Sequence, residues 1–151
     1  MDVFLDIGTR LGWAAVTTEN HRLSASVDMT PRKHENWAAR FRKFRALLDT
    51  LNNVEPVKAI WYEEVRRHEG TDAAHVYGGF LANLGQWADE HGAALTGVPV
   101  GAIKKFATGK GNASKAAVTL ACAERFDVIA SDDNEADAVA LRELVLSGSL
   151  K

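Results

Sequence analysis

Acidic residues interrupt or end otherwise apolar segments of this sequence, and that placement constrains the fold more than any other feature. Asp6 follows the apolar run 3–5, Glu63 follows the run 60–62, and Asp137 lies between two alanines. A carboxylate among core residues is costly to bury alone. Several carboxylates become acceptable when they converge on a divalent cation, because Mg²⁺ prefers hard oxygen ligands. The sequence therefore predicts a fold that brings three separate apolar elements to one place.

Hydrophobic periodicity predicts a mixed α/β fold with the element order β-β-β-α-β-α-β-α-α. The first three strands are expected to form an antiparallel meander after a glycine turn at 8–12, and the fourth to run parallel to the first. Trp37 and Trp87 are assigned to apolar helical faces. The 151 residues suit a single domain, 1–151. The predicted strands are 3–7, 13–18, 22–28, 57–62 and 94–98, and the predicted helices are 35–51, 71–91, 114–126 and 131–146.

Bulk composition is that of an ordinary soluble protein, with 46% apolar and 25% charged residues. No run approaches the roughly 18 apolar residues that a membrane span needs. Asp2 and Asp6 stand where a secretory signal would need a basic start and an apolar run. The lone Cys122 fits a reducing compartment. We therefore expect a cytoplasmic protein with no membrane contact.

The distribution of basic residues favours a nucleic-acid partner more than the net charge of -2 does. A carboxylate-rich site beside basic patches would give a near-zero net charge and still bind DNA. The basic residues of the helix that follows residue 35, namely Arg40, Arg42, Lys43 and Arg45, are interpreted mainly as its solvated face. The candidates for contact with DNA phosphates are Lys104, Lys105, Lys110, Lys115, Arg66 and Arg67. Of these, Lys115 and Lys105 are expected to stabilise the phosphate that is cut.

The acids have a spacing that suits a metal site. Neighbouring strands lie about 4.8 Å apart, which brings Asp6 and Glu63 close together. Asp133 is four residues before Asp137 and Asn134 is three before it, and both spacings share one helical face. Taken singly, a strand-end acid is often a turn residue. Asp132, Asp133 and Glu135 are also ordinary acids for the start of a helix, and for Asp132 this is the preferred interpretation.

Several segments together resemble the RuvC-type Holliday junction resolvases of the RNase H-like superfamily along nearly the whole chain. Residues 5–14 are similar to that family's first strand and turn, and Tyr62-Glu-Glu-Val65 to its fourth strand. The basic stretch 98–118 resembles the segment that contacts the scissile DNA. Residues 133–138 resemble the closing helix, with its acid-x-x-Asp-Ala pattern. The shortness of the chain is more typical of the phage or prophage branch.

The resemblance implies a mixed five-stranded sheet flanked by helices and a function as a crossover-junction endodeoxyribonuclease. Two Mg²⁺ or Mn²⁺ ions are expected per site, with no nucleotide cofactor. Hydrolysis would leave 5′-phosphate and 3′-hydroxyl ends, and the two symmetric cuts of a four-way junction imply a homodimer. The implied catalytic residues are Asp6, Glu63, Asp133 and Asp137, and the implied metal ligands are the same four with Asn134.

The sequence departs from the family at two points. Asn134 replaces the first acid of the closing motif, so the fourth ligand is either Asp133 or Asn134. The loop after Glu63 carries Arg66 and Arg67 instead of an apolar, aromatic-bearing segment. Alternatives are another RNase H-like nuclease, acting on flaps or, like the YqgF-like proteins, in RNA processing, and a non-catalytic DNA-binding module. Phosphotransferases of the sugar-kinase and actin type share the Asp-x-Gly-Thr start but need two such domains.

Overall fold

A mixed five-stranded sheet forms the centre of the molecule. The computed structural model describes residues 1–66 and 70–150. Within these residues the strand order is β3-β2-β1-β4-β5. Strands β1 to β3 form the predicted antiparallel meander, and β4 and β5 continue the sheet in parallel with β1. The strands are β1 (Asp2–Asp6), β2 (Arg10–Val16), β3 (Arg22–Asp28), β4 (Ala59–Glu64) and β5 (Ala94–Pro99).

Helices cover both faces of the sheet, which is the predicted architecture. One hydrophobic core lies between the sheet and the first two helices, and a second lies between the sheet and the last three. Successive strand residues point to opposite faces. Val3 and Leu5 therefore belong to the first core, and Phe4 to the second. The helices are α1 (Ala39–Val54), α2 (Thr71–His91), α3 (Val100–Thr108), α4 (Lys115–Phe126) and α5 (Asp133–Leu146).

Three sequence predictions differ from the structure. The predicted element order omits α3, which forms between β5 and the glycines of the basic stretch. Helix α1 begins at Ala39 instead of residue 35, so Trp37 lies before the helix and is 68% exposed. Strand β2 begins at Arg10, inside the predicted turn 8–12. Trp87 is fully buried as predicted, and Gly92 ends α2 in the left-handed conformation.

In the described part of the chain, no helix combines the length and the apolar character that crossing a membrane requires.

Candidate functional site

Asp6 and Glu63 occupy matching positions at the ends of adjacent parallel strands. Leu5 of β1 pairs with Tyr62 of β4, and each acid is the next residue of its strand. Asp6 lies two residues after Phe4, and Glu63 lies two residues after Trp61. Because every second strand residue points to the same face of the sheet, both acidic side chains point toward the second core. The apolar residues that make each strand buried therefore also bring these two carboxylates beside α5.

Helix α5 begins unusually close to the sheet because Gly12 has no side chain. A Cβ atom at Gly12 would lie 1.8 Å from the backbone oxygen of Asn134. Gly12 is also the partner of Asp6 in the β1–β2 ladder. This close approach brings the first turns of α5, with Asp133 and Asp137, to the strand end that carries Asp6. Asp137 is 6% exposed.

The carboxylates repel one another in a poorly solvated environment. Burial, followed by the charges of Glu63 and Asp137, raises the pKa of Asp6 well above its ordinary value. Burial and the charge of Asp137 raise the pKa of Glu63 to about 7. Burial raises the pKa of Asp137 to about 6, and the charge of Asp133 adds to this effect. The three groups therefore form an acidic cluster that favours either protons or a bound cation at neutral pH.

Two lysines oppose this repulsion. The Nζ atom of Lys115, at the start of α4, lies 2.5 Å from Oδ2 of Asp133. The charge of Lys115 lowers the pKa of Asp6, Glu63 and Asp137, but by less than burial raises it. Lys104 of α3 acts in the same direction on Glu63 and Asp137. The acidic cluster is thus bordered by cations from two helices.

The neighbouring acids Asp132 and Glu135 have structural partners. Asp132 is the N-cap of α5 and accepts hydrogen bonds from Ser26 Oγ, Arg10 Nε and the Glu135 backbone. Although burial alone would raise it, these contacts lower the pKa of Asp132 to about 2. Glu135 accepts hydrogen bonds from Ser24 Oγ and from Ser131. Both acids therefore stabilise the start of α5.

The other predicted phosphate contacts in the described part of the chain lie on the surface. Lys105 and Lys110 are exposed. Arg66 donates two hydrogen bonds to Glu64. The side chain of Glu64 points to the opposite face of the sheet from that of Glu63. Arg67 lies outside the described residues. The side chain of Asn134 is partly exposed beside Asp133.

Tyr77 is a site-bordering residue that the sequence did not reveal. Its hydroxyl donates to the backbone oxygen of Glu63 over 2.9 Å and accepts from the backbone N–H of Val65 over 3.1 Å. The buried Tyr77 of α2 thereby fixes the main chain on both sides of Glu64 at the end of β4. Helical periodicity indicates that position 77 is buried, but not that its hydroxyl reaches a neighbouring strand.

The donor chemistry fits a divalent metal ion, although the geometry is not that of a preassembled site. Among residues 1–66 and 70–150, no three acidic, histidine or cysteine side chains lie close enough together to hold a metal ion. Carboxylate oxygens are nevertheless the ligands that Mg²⁺ and Mn²⁺ prefer. Burial raises all three pKa values, and the charges of neighbouring acids add to it; a divalent cation would relieve this repulsion.

Comparison with solved structures identifies the fold. No family model and no curated protein matches the sequence. The Thermus thermophilus RuvC structure matches with a TM-score of 0.72 and 22% identity, over 97% of this chain and 96% of that one. T. thermophilus RuvC in complex with Holliday junction substrate matches with a TM-score of 0.74 and 20% identity, over 93% of this chain and 88% of that one. The yeast mitochondrial Holliday junction resolvase Ydc2 matches with a TM-score of 0.62 and 11% identity, over 93% of this chain and 75% of that one. The chain therefore has the RNase H-like fold of the RuvC Holliday junction resolvases.

Proposed function

We propose that this protein is a metal-dependent, structure-selective endodeoxyribonuclease that resolves four-way DNA junctions. The observation that carries the proposal is the convergence of Asp6, Glu63 and Asp137 from two strands and a helix, with pKa values raised by burial and by neighbouring acids. Strongly perturbed acids of this kind are typical of functional sites. The fold shared with resolvase structures over most of the chain favours junction DNA as the substrate.

Asp6, Glu63 and Asp137 would hold two Mg²⁺ or Mn²⁺ ions, with either Asp133 or Asn134 as the further ligand. When bound, such ions activate a water and stabilise the leaving oxygen of an in-line displacement at phosphorus. The protein's own part is to bring these carboxylates together at converging strand and helix ends, where a cation would favour their ionised form. Asp133 would have to exchange its contact with Lys115 for the metal ion.

The lysines at the border of the acidic cluster would hold the scissile phosphate. Lys115 and Lys104 already interact electrostatically with the acids. Lys105, Lys110, Arg66 and Arg67 would contact flanking phosphates, which contribute affinity and salt dependence but little sequence information. Paired symmetric cuts need two sites, so we propose that the single domain 1–151 acts as a homodimer.

The decisive experiment compares cleavage of a labelled four-way junction, a flap, a linear duplex and an RNA–DNA hybrid, with Mg²⁺, Mn²⁺ or chelator. Asp6→Asn and Glu63→Gln are expected to abolish the reaction. Asp2→Asn is the matched control, because Asp2 begins the strand that Asp6 ends. Paired, metal-dependent nicks in the junction would support the proposal. Full activity of Asp6→Asn would refute the site.

A non-catalytic DNA-binding module is the second candidate. Two observations favour it: the described acids do not form a preassembled metal site, and Lys115 pairs with Asp133. Junction binding without cleavage of any substrate, together with no calorimetric binding of Mn²⁺, would establish this alternative. Cleavage confined to flaps or hybrids would indicate another RNase H-like nuclease.

A further inference from the structure

A mainly apolar groove of about 970 Å³ lies on the first-core side of the sheet, at the edge where the strands of Asp6 and Glu63 end. Ile7 and Gly8, which directly follow Asp6, line one side of it. Val65, two residues beyond Glu63, lines it from β4. The other walls come from the residue pair Trp37 and Phe41 and from the first turns of α2. The groove therefore begins where the two strands that carry Asp6 and Glu63 end.

Trp37 presents an aromatic surface at this groove, and contacts with Phe41 and Arg40 hold it in place. Its ring meets the Phe41 ring edge-to-face, with centroids 5.8 Å apart, and Phe41 meets the buried Phe80 in the same way at 5.1 Å. The Nε atom of Arg40 donates to the backbone oxygen of Trp37 over 3.1 Å. A large exposed indole on an ordered aromatic stack is a platform on which another planar ring can stack with little loss of entropy.

The charge around Trp37 matches a polyanion. Between residues 32 and 45 the sequence has six Lys or Arg residues and one acid, Glu35. Glu35 pairs with Arg42 and Lys43, whereas Arg32 and Lys33, five and four residues before Trp37 in the sequence, are exposed. Arg40 lines the groove itself, as do Asp72 and His75 of α2. An aromatic face with basic neighbours is the combination that binds an unstacked nucleobase and its phosphate.

We propose that this groove binds an unstacked nucleobase of the DNA strand whose phosphate reaches the acidic cluster. Trp37 stacks on the base, and Arg40 contacts the phosphate that follows it. A branch point interrupts base stacking and supplies such a base, whereas an intact duplex does not. This inference rests on the proposed function, because it takes branched DNA to be the substrate. It assigns a substrate-binding role to α1 and to the segment before it.

The test measures binding of a four-way junction and of a linear duplex in chelator, which prevents cleavage. A 2-aminopurine at the branch point reports base stacking. Trp37→Ala is expected to weaken junction binding by about 10-fold and to abolish the fluorescence change, since stacking one base contributes on this scale. Trp37→Phe should restore part of both. Duplex binding should not change, and the salt dependence of junction binding should stay the same.

Two further variants separate stacking from charge. Arg40→Gln should weaken binding of both DNAs and lower the slope of log affinity against log salt by about 1. Ile129→Ala is the matched control, because Ile129 is 93% exposed outside this groove. It should bind both DNAs like the wild type.

Junction affinity and fluorescence that are unchanged in Trp37→Ala would overturn the inference, even if the wild type cleaves junctions. Loss of dimerisation in Trp37→Ala would overturn it as well, because a second copy would then cover the groove. The opposite result is also informative. If the wild type cleaves no substrate but binds junctions in a way that depends on Trp37, the inference is supported and the proposed nuclease activity is refuted.

Discussion

The ammonium nitrogen of Lys115 lies 2.5 Å from a carboxylate oxygen of Asp133, across the gap between α4 and α5. The same lysine lowers the pKa values of Asp6, Glu63 and Asp137. One side chain therefore acts as the counterion of acids from three different elements. In the proposed reaction, a DNA phosphate and a metal ion would each replace part of this interaction.

Replacing Lys115 with methionine is expected to shift the pH–rate profile of junction cleavage to higher pH. Removing the cation raises the pKa values of the three acids, so a smaller fraction is ionised at neutral pH. We expect the rate at pH 7 to fall roughly 10-fold or more, since a hydrogen bond to a charged group contributes about 1.5–3 kcal/mol. Single-turnover rates between pH 5.5 and 9 measure the effect.

Lys58→Met is the control for this variant. Lys58 is exposed and precedes β4, at the opposite end of that strand from Glu63. It should leave the profile unchanged. A Lys115→Met profile that falls in amplitude with no shift along the pH axis would contradict the electrostatic role of Lys115.

Glu63→Gln is expected to stabilise the metal-free protein at pH 8 while abolishing cleavage. The pKa of Glu63 is about 7 in the folded state against an ordinary value of 4.5, so the native protein binds more protons between these values. The free energy of unfolding therefore falls as pH rises through this window. Since one pKa unit corresponds to about 1.4 kcal/mol, the neutral variant should gain on the order of 3 kcal/mol at pH 8.

Urea unfolding in chelator at pH 4 and pH 8 measures this gain, which should disappear at pH 4. Glu64→Gln is the matched control on the next residue of the same strand. It removes a partly exposed contact with Arg66 and should change stability by less than about 1 kcal/mol. A destabilised Glu63→Gln at pH 8 would contradict the burial and the charge repulsion that raise the pKa of Glu63.

Gly12→Ala is expected to destabilise the protein by about 3 kcal/mol or more. The new methyl group would overlap the backbone of Asn134, and main chain cannot rotate away as a flexible side chain can. Gly85→Ala is the control, because a Cβ at that position in α2 meets nothing within 4 Å. This second change should stabilise α2 by up to about 1 kcal/mol. Equal melting temperatures for the two variants would argue against the close packing of α5 on β2.

Tyr77→Phe is expected to slow cleavage while leaving junction affinity intact. The ring still fills its place, but the Glu63 carbonyl and the Val65 N–H lose their hydroxyl partner. The cost in stability should be about 1–3 kcal/mol. Single-turnover cleavage and equilibrium binding separate the two effects. Tyr62→Phe, whose ring packs over Gly97 on β5, is the control, and an equal loss of rate in both would contradict a specific role of Tyr77.

The sequence predicted the strands and the acids that end them because a short apolar run and its polar boundary are local signals. It also predicted the order of the elements apart from α3. That helix has nine residues, and its buried side rests on Ile103 and Ala107, four residues apart. Because this apolar spacing is short, contains two lysines and is followed by Gly109, the sequence alone indicates only a basic stretch.

Other features depend on contacts between residues far apart in the chain. Nothing near Gly12 indicates that its partner is Asn134, because the approach exists only after α5 packs on β2. Lys104, and not Lys105, is the lysine of α3 that acts on the acids, and this depends on the rotation of α3 about its axis. The exposure of Trp37 depends on α1 beginning at Ala39, a boundary that periodicity does not determine.

The contact at Gly12 leaves residue 134 free to vary in its side chain. Gly12 packs against the carbonyl of residue 134, a group that every amino acid possesses. The side chain there projects with partial exposure beside Asp133. An exchange between asparagine and an acid at this position would therefore alter the charge of the cluster without disturbing the helix that supports it. The fold thus separates a backbone contact, which any residue at position 134 can make, from the charge that its side chain contributes.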